Sequence, residues 1–315
     1  MTGPPNNSRS LPHAWLFKRT YYGWAVVIAG FSASFGEVPA FGPILGIFIQ
    51  PIEDELGWSR ATIALGFLIG SVTGALASML VGRFVDAYGS RGIVALAGLL
   101  ISGALLGMST INEPWQFWLF FGVARGAAIA GVEIGTSVAI AKWFYRKRAR
   151  MLGIKGVGQR TGQALAPFLI FAVMSASDWR TSYVVLAGFS AVLIVIPSFL
   201  FIRRQPEDYG LAVDGGPLMP LDATTSSTEA SWTLLEARRT RAFWLIVFFT
   251  ACTPFVQGAM NLHLVANFRD QGLSDLEAVS VLSIFAWVSA LSIMPMGLVL
   301  ERVHVRFGAM LQAIV

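Results

Sequence analysis

The sequence predicts an all-α polytopic membrane protein, and three observations carry the prediction. The 315-residue chain is 55% hydrophobic and only 13% charged, with a mean hydropathy of +0.64; a soluble domain carries about 25% charged residues. Its apolar residues gather into long runs. Roughly twenty such residues, rising about 1.5 Å each, cross a hydrocarbon core of about 30 Å. Its basic residues are sorted between connections. With the N-terminus placed in the cytoplasm, 17 of the 23 Lys and Arg fall in inner segments, and three (Arg60, Arg180 and Arg269) fall in outer loops. That asymmetry orients a multispan protein, and a helix is the open-ended way to satisfy backbone hydrogen bonds in lipid.

Eight full spans follow in order: 21–49, 60–81, 91–110, 114–141, 150–174, 181–202, 241–263 and 275–297, with a ninth beginning near Val305. Residues 1–20 read as a polar cytoplasmic tail. The first span is far longer than a signal-peptide core and no small-residue cleavage site follows it. Residues 203–240 are polar and rich in Pro, Gly, Ser and Thr, ending in the amphipathic stretch SWTLLEARRTRAF. They divide a six-helix bundle, 21–202, from a second part, 241–315. Trp24, Trp58, Trp115, Trp143, Trp179 and Trp244 mark the ends of runs, the pattern of an interfacial aromatic belt. Pro39, Pro43 and Pro167 lie inside spans, where proline bends a helix.

Composition also excludes function classes. The single cysteine, Cys252, forms no intrachain disulfide, and the three histidines show no metal-ligand spacing. No nucleotide-binding loop, His–Glu metal motif or Ser–His–Asp set is present, so the reading is neither an enzyme nor an ATP-driven pump, and no cofactor is expected. The pI near 9.7 comes from short basic clusters between spans, which membrane topology explains without nucleic acid.

The second part repeats the first at an offset of 215 residues. GWSRATIALGF begins at Gly57 and GLSDLEAVSVL at Gly272; Gly82 meets Gly297, Asp86 meets Glu301, and Arg91 meets Arg306. Two like-handed bundles related by an axis along the membrane normal produce this pattern.

The loop GRFVDAYGSRG, residues 82–92, carries Gly82, Asp86, Gly89 and Arg91. It resembles the signature loop of the major facilitator superfamily. YYGWAVV, GWSRA, AKWFYRKRARMLGI, DWRTSYVVLAG, RRQPEDYGL and RTRAFW, in that order, resemble the monocarboxylate-transporter-like and oxalate/formate-antiporter-like branch. The resemblance implies twelve spans in two bundles, so this chain would hold a complete N-terminal six-helix bundle and a partial C-terminal one. It implies secondary active transport of a small organic anion, by proton symport or anion exchange, in the plasma membrane (the inner membrane of a bacterium). Export of a drug or other metabolite, and a receptor or sensor on the same fold, are the alternatives. The four motif residues would form a conformational latch. Gly82 and Gly89 would allow close approach and a tight turn, Asp86 would take a basic partner near a helix N-terminus, and Arg91 would hold cytoplasmic helix ends together.

Ionisable residues inside spans are costly, at least about 2.5–3.5 kcal/mol at the centre, and mark function by default. Glu37 and Arg125 lie at equal depth, roughly 24 Å from the cytoplasmic ends of spans one and four, and are expected to face each other. Gln257 and Asn261 of span seven lie near the same level. Glu133 and Arg160 lie nearer the cytoplasm and are expected to pair. Lys155 is expected to snorkel to the interface. An arginine would hold a carboxylate substrate by two parallel hydrogen bonds, and a glutamate would carry a proton. Two departures from the branch stand out: the eighth span, AVSVLSIFAWVSALSIMPMG, has no charged residue, and the fifth carries GQRTGQ.

Overall fold

The computed structural model describes residues 21–216, 234–245, 247–248, 252, 264 and 267–302, and is helical without strands among them. The helices are α1 (Gly23–Gly36), α2 (Gly42–Leu56), α3 (Arg60–Tyr88), α4 (Ser90–Met108), α5 (Pro114–Gly126), α6 (Ile134–Trp143), α7 (Arg148–Ala176), α8 (Trp179–Ser190), α9 (Ile196–Phe201), α10 (Leu234–Arg238) and α11 (Asp275–Arg302). Wider π-helical segments, Ala127–Glu133 and Ala191–Val195, join α5 to α6 and α8 to α9 into continuous rods.

The first span differs from expectation. It is two helices rather than one run over 21–49. Pro39 has no N–H and its ring crowds the preceding turn, so α1 ends at Gly36. A 3₁₀ turn, Val38–Ala40, follows, and Phe41 is extended (φ −104°, ψ 155°). Pro43 then opens α2, which runs seven residues past the expected end and stops where Gly57 takes φ +68°. Pro167, by contrast, sits inside an unbroken α7.

The second span also runs further. α3 absorbs Gly82 and Asp86, and a single residue, Gly89 at φ +85°, turns the chain into α4. The other boundaries follow local chemistry. Ser59 caps α3 by accepting from the Thr62 N–H, Asp178 caps α8 by accepting from Thr181, and Glu113 with Gln116 forms a reciprocal cap on α5. The 215-residue offset holds in geometry. Gly272 repeats the positive φ of Gly57, and Ser274, paired with Glu277, precedes α11 as Ser59 precedes α3.

Among the described residues, five stretches are long and apolar enough to cross a membrane: Arg60–Tyr88, Ser90–Met108, Pro114–Trp143, Trp179–Phe201 and Leu276–Ile293. α3 exposes a row of large apolar side chains, including Leu68, Val72, Leu76, Met79 and Leu80. Water would penalise such a face and lipid accepts it. The 29-residue α7 is not among the five because Lys155, Gln159, Arg160 and Gln163 lower its hydropathy. It packs between α1 and α11, where those groups find protein partners. Two of the six belt tryptophans are core residues instead: Trp143 and Trp179 are buried.

Glycine sets the closest packing. A Cβ at Gly158 of α7 would collide with the carbonyl oxygen of Phe31, and one at Gly162 would lie 2.9 Å from that of Phe35, so α1 and α7 meet backbone to backbone. On its other side α7 offers Gly153 and Gly156 to Ile293 of α11 at ordinary contact distances of 3.6 and 3.8 Å. Gly158→Ala is expected to destabilise the protein by about 2 kcal/mol, the scale of overpacking a tight interface. Gly103→Ala, where a Cβ meets nothing within 4 Å, should leave the detergent melting temperature unchanged or higher. Equal melting of the two variants would refute the keyed contact.

Candidate functional site

The break in α1 and the π segment after α5 bring charged side chains to the middle of the bundle. Arg125, the second-last residue of α5, donates from Nε to Ser71 Oγ (2.9 Å) and from Nη1 to the Ala40 carbonyl (3.2 Å). Ala40 closes the 3₁₀ turn, and the helix break leaves its carbonyl free to accept. The guanidinium lies over the Phe67 ring (4.0 Å to its centroid) with Phe41 at 5.5 Å. Gly70 makes room for its stem. No carboxylate lies within ion-pair distance of Arg125 among the described residues.

Glu133 ends the π segment and is held by Lys155 of α7. Lys155 Nζ lies 2.8 Å from Glu133 Oε1, 2.9 Å from Ser137 Oγ and 3.1 Å from the Glu133 carbonyl. All three ammonium hydrogens thus have acceptors, as burial at 5% exposure requires. Glu37 is fully buried. Its Oε1 accepts from Gln159 Nε2 (3.3 Å) and its Oε2 finds no donor among the described residues. Glu133 is its acidic neighbour and Lys155 its basic one. Beside them is a cavity of about 200 Å³ lined by Ser34, Glu133, Ser137, Lys155, Gly156 and Gln159. Ser34 Oγ, also buried, has no partner among the described residues. At about 30 Å³ per water, the cavity has room for several waters or one small organic ion.

Three expectations are corrected here. Glu37 does not face Arg125; it joins Gln159, Glu133 and Lys155. Glu133 does not pair with Arg160, whose Nη1 donates to Gln163 Oε1 (3.0 Å). Lys155 does not snorkel. The reason is rotation about the helix axes. Lys155 and Gln159 are four apart and share one face of α7, while Arg160 is turned about 100° from Gln159 and shares a face with Gln163. Counting residues along the spans gives neither the level at which Glu37 meets its partners nor the direction in which it points. Gln257 and Asn261 lie outside the described residues.

The motif loop is distributed over several contacts. Asp86 is exposed and reaches Lys142 of α6 at 4.0 Å, on the last turns of α3 rather than at a helix N-terminus. Arg91 lies over the Phe199 ring of α9 at 5.4 Å. Gly89 makes the turn, with the Arg204 side chain beside it, whereas a Cβ at Gly82 would meet nothing within 4 Å, so the expected close approach is absent there.

At the opposite end of the bundle two arginines gather helix ends. Arg180 donates to Glu55 Oε1 and to the carbonyls of Ser109 and Ile111 (2.9, 3.1 and 2.8 Å), and Trp179 Nε1 donates to Glu55 Oε2. Arg60 bridges Glu53 (3.3 Å) and Asp270 (2.8 and 3.2 Å), tying α2 and α3 to the segment that precedes α11. The indole N–H of Trp179, reinforced by Arg180, holds the Glu55 carboxyl below the usual carboxylate range. Arg60 does the same for Asp270.

A family model described as Major Facilitator Superfamily matches residues 23–315. Among curated relatives, the uncharacterized MFS-type transporter YcxA of Bacillus subtilis (strain 168) is 22% identical over 259 residues, 81% of this chain and 60% of the relative. Monocarboxylate transporter 2 of Homo sapiens is 23% identical over 303 residues, 90% of this chain and 61% of the relative. Monocarboxylate transporter 1 of Mus musculus is 28% identical over 174 residues, 53% and 34%. The chain therefore spans about a third to three fifths of the length of these relatives.

Two predictions follow from the arginine-rich end. Glu55 ionises more readily in the fold than in the unfolded chain. Its stabilising contribution is therefore complete above the ordinary value near 4.5 and disappears as pH falls through the lower folded value. Melting temperature should drop more steeply below pH 4.5 in the wild type than in Glu55→Gln, and parallel curves would count against the contact. Arg60→Asp should impair function and Asp270→Arg should restore it in the double variant; no restoration would show that the pair does not act as one.

Proposed function

The chain belongs to the major facilitator superfamily, and we propose that it builds the first half of a substrate pathway for secondary active transport of a small organic anion by alternating access. It is an integral, multi-pass membrane protein. We read 21–202 as the first six-helix bundle, 203–240 as a cytoplasmic connection and 241–315 as the opening of the second bundle, with the N-terminus inside and the plasma membrane as its location.

The observation that carries this reading is the uncompensated charge of Arg125. A cation deep in a span is tolerated when an anion neutralises it, and among the described residues no carboxylate does so. A substrate carboxylate supplies the missing charge. Ser71 and the Ala40 carbonyl fix the guanidinium in direction, and Phe67 with Phe41 shields it from water. The remaining N–H donors would meet two carboxylate oxygens in the planar, two-point contact that suits arginine and that lysine does not reproduce. The monocarboxylate transporter names of the relatives support the same substrate class.

Coupling is assigned to the neighbouring cluster. With both carboxyls ionised, Glu37, Glu133 and Lys155 carry a net charge of minus one, and one proton makes the set neutral. A counter-anion is the other reading of the driving ion. Arg160, bonded to Gln163 and without an ion-paired carboxylate among the described residues, is a second anchor for an anion. Arg125→Gln is expected to lower uptake of labelled lactate, pyruvate and acetate into proteoliposomes by about 100-fold or more, the scale of losing one partner of a buried charge pair. Arg125→Lys should retain partial uptake. Protein reaching the membrane with normal uptake in the Arg125→Gln form would refute the assignment.

A further inference from the structure

We infer that Asp214 is a positioning residue for the Glu133–Lys155 pair, acting through the turn that joins α6 to α7; the inference rests on the carrier reading only in making that pair part of the transport site. Tyr145, Arg146 and Lys147 form the turn, and all three backbone N–H groups donate to the Asp214 carboxylate, at 3.2, 2.8 and 3.3 Å. These N–H groups lie on the N-cap residue of α7, Lys147, and the two residues before it, and a carboxylate there also meets the favourable end of the helix dipole. For α7 that carboxylate arrives from the connecting segment, 67–69 positions away in sequence.

The segment is built to deliver it. Arg203 is buried and caps α9 by donating to the carbonyls of Phe199, Leu200 and Ile202. The Arg203 carbonyl in turn accepts from Trp143 Nε1 (3.2 Å), at the last residue of α6. Tyr21 donates to the Trp143 carbonyl and Tyr22 to that of Phe201. Tyr209 and Leu211 pack on the core. Gly215 lies against the Tyr21 ring. Asp214 itself takes φ +61°, the one non-glycine residue with positive φ among those described. Aspartate enters that left-handed backbone region more readily than most residues, and here the conformation coincides with three hydrogen bonds from one turn.

The clamp sits where register matters. Glu133 and Ser137 lie on the rod that ends at Trp143, and Lys155 lies two turns into α7. A one-residue slip of α7 would swing Lys155 by about 100°, off the face where Glu133 and Ser137 meet it. Fixing the 145–147 turn fixes that register. Residues 203–216 thus act as a strap that holds the charged cluster in shape, rather than as a loose tether between halves.

The test uses the reactivity of Lys155 and requires no substrate. The protein in nanodiscs is acylated with N-hydroxysuccinimidyl acetate, and modification of Lys155 is read by mass spectrometry against the partly exposed Lys142. Asp214→Ala and Asp214→Asn are expected to speed Lys155 acylation about tenfold, the scale of losing charge-assisted hydrogen bonds, approaching the rate in Glu133→Gln, which removes the ionic partner directly. Wild-type rates in both Asp214 variants, with Glu133→Gln fast, would overturn the inference. So would a Lys155 that is already reactive in the wild type. If Asp214→Ala does not assemble, the isosteric Asp214→Asn decides alone. Uptake by Arg125→Gln tests the carrier reading separately, so the two ideas fail independently.

Discussion

The ion pair between Lys155 and Glu133 is the contact on which the middle of the molecule depends. Lys155 is buried while Glu133 opens on the cavity; an unmatched buried charge is expensive, and a matched one must also satisfy its remaining hydrogen-bonding capacity. Lys155 meets that demand by spending its three donors on one carboxylate, one hydroxyl and one carbonyl, all from the same stretch of chain. The pair pins the fourth span to α7. Glu37 is left beside a carboxylate that is already engaged, and the cavity opens next to both.

Arg125 follows a different logic. It is solvated by neutral groups (a hydroxyl, a carbonyl and two aromatic faces), which stabilise a cation without cancelling its charge. Such a site leaves the field of the cation uncancelled. The molecule thus separates two kinds of charge management, one internally closed and one left open, within a few turns of the same rod. A π segment leads from Arg125 to Glu133, and the two side chains meet different neighbours, Ser71 and Ala40 for the first and Lys155 for the second. π segments of this kind recur at functional sites.

Much of the architecture was legible in the sequence because lipid simplifies the problem. Run length found the long apolar helices Arg60–Tyr88, Ser90–Met108, Pro114–Trp143 and Trp179–Phe201, and the 215-residue repeat reappears in the matched turns at Gly57 and Gly272. What escaped was direction around a helix axis. Pro39 signalled a bend, but not a complete stop followed by a 3₁₀ turn, and nothing in AAIAGVE announces a π helix. Glu37 and Glu133 both meet α7, through Gln159 and Lys155, so pairing by depth matched the wrong partners. The four-residue spacing of Lys155 and Gln159 was the signal available for the correct face. The role of Asp214 was hidden for another reason: its partners are backbone N–H groups, which no side-chain pattern records.

The two glycine-lined sides of α7 carry a mechanical consequence. Towards α1 the glycines allow main chain to touch main chain, a keyed joint in which neither helix can translate without collision. Towards α11 they offer a smooth track on which one isoleucine rests at ordinary contact distance. Under the alternating access proposed above, shear would fall at the α7–α11 seam, while α1 and α7 would travel together as one stiff lever. Glu37 and Lys155, on opposite members of that lever, would then keep their spacing through a stroke, and access to them would change by what slides past rather than by their own rearrangement.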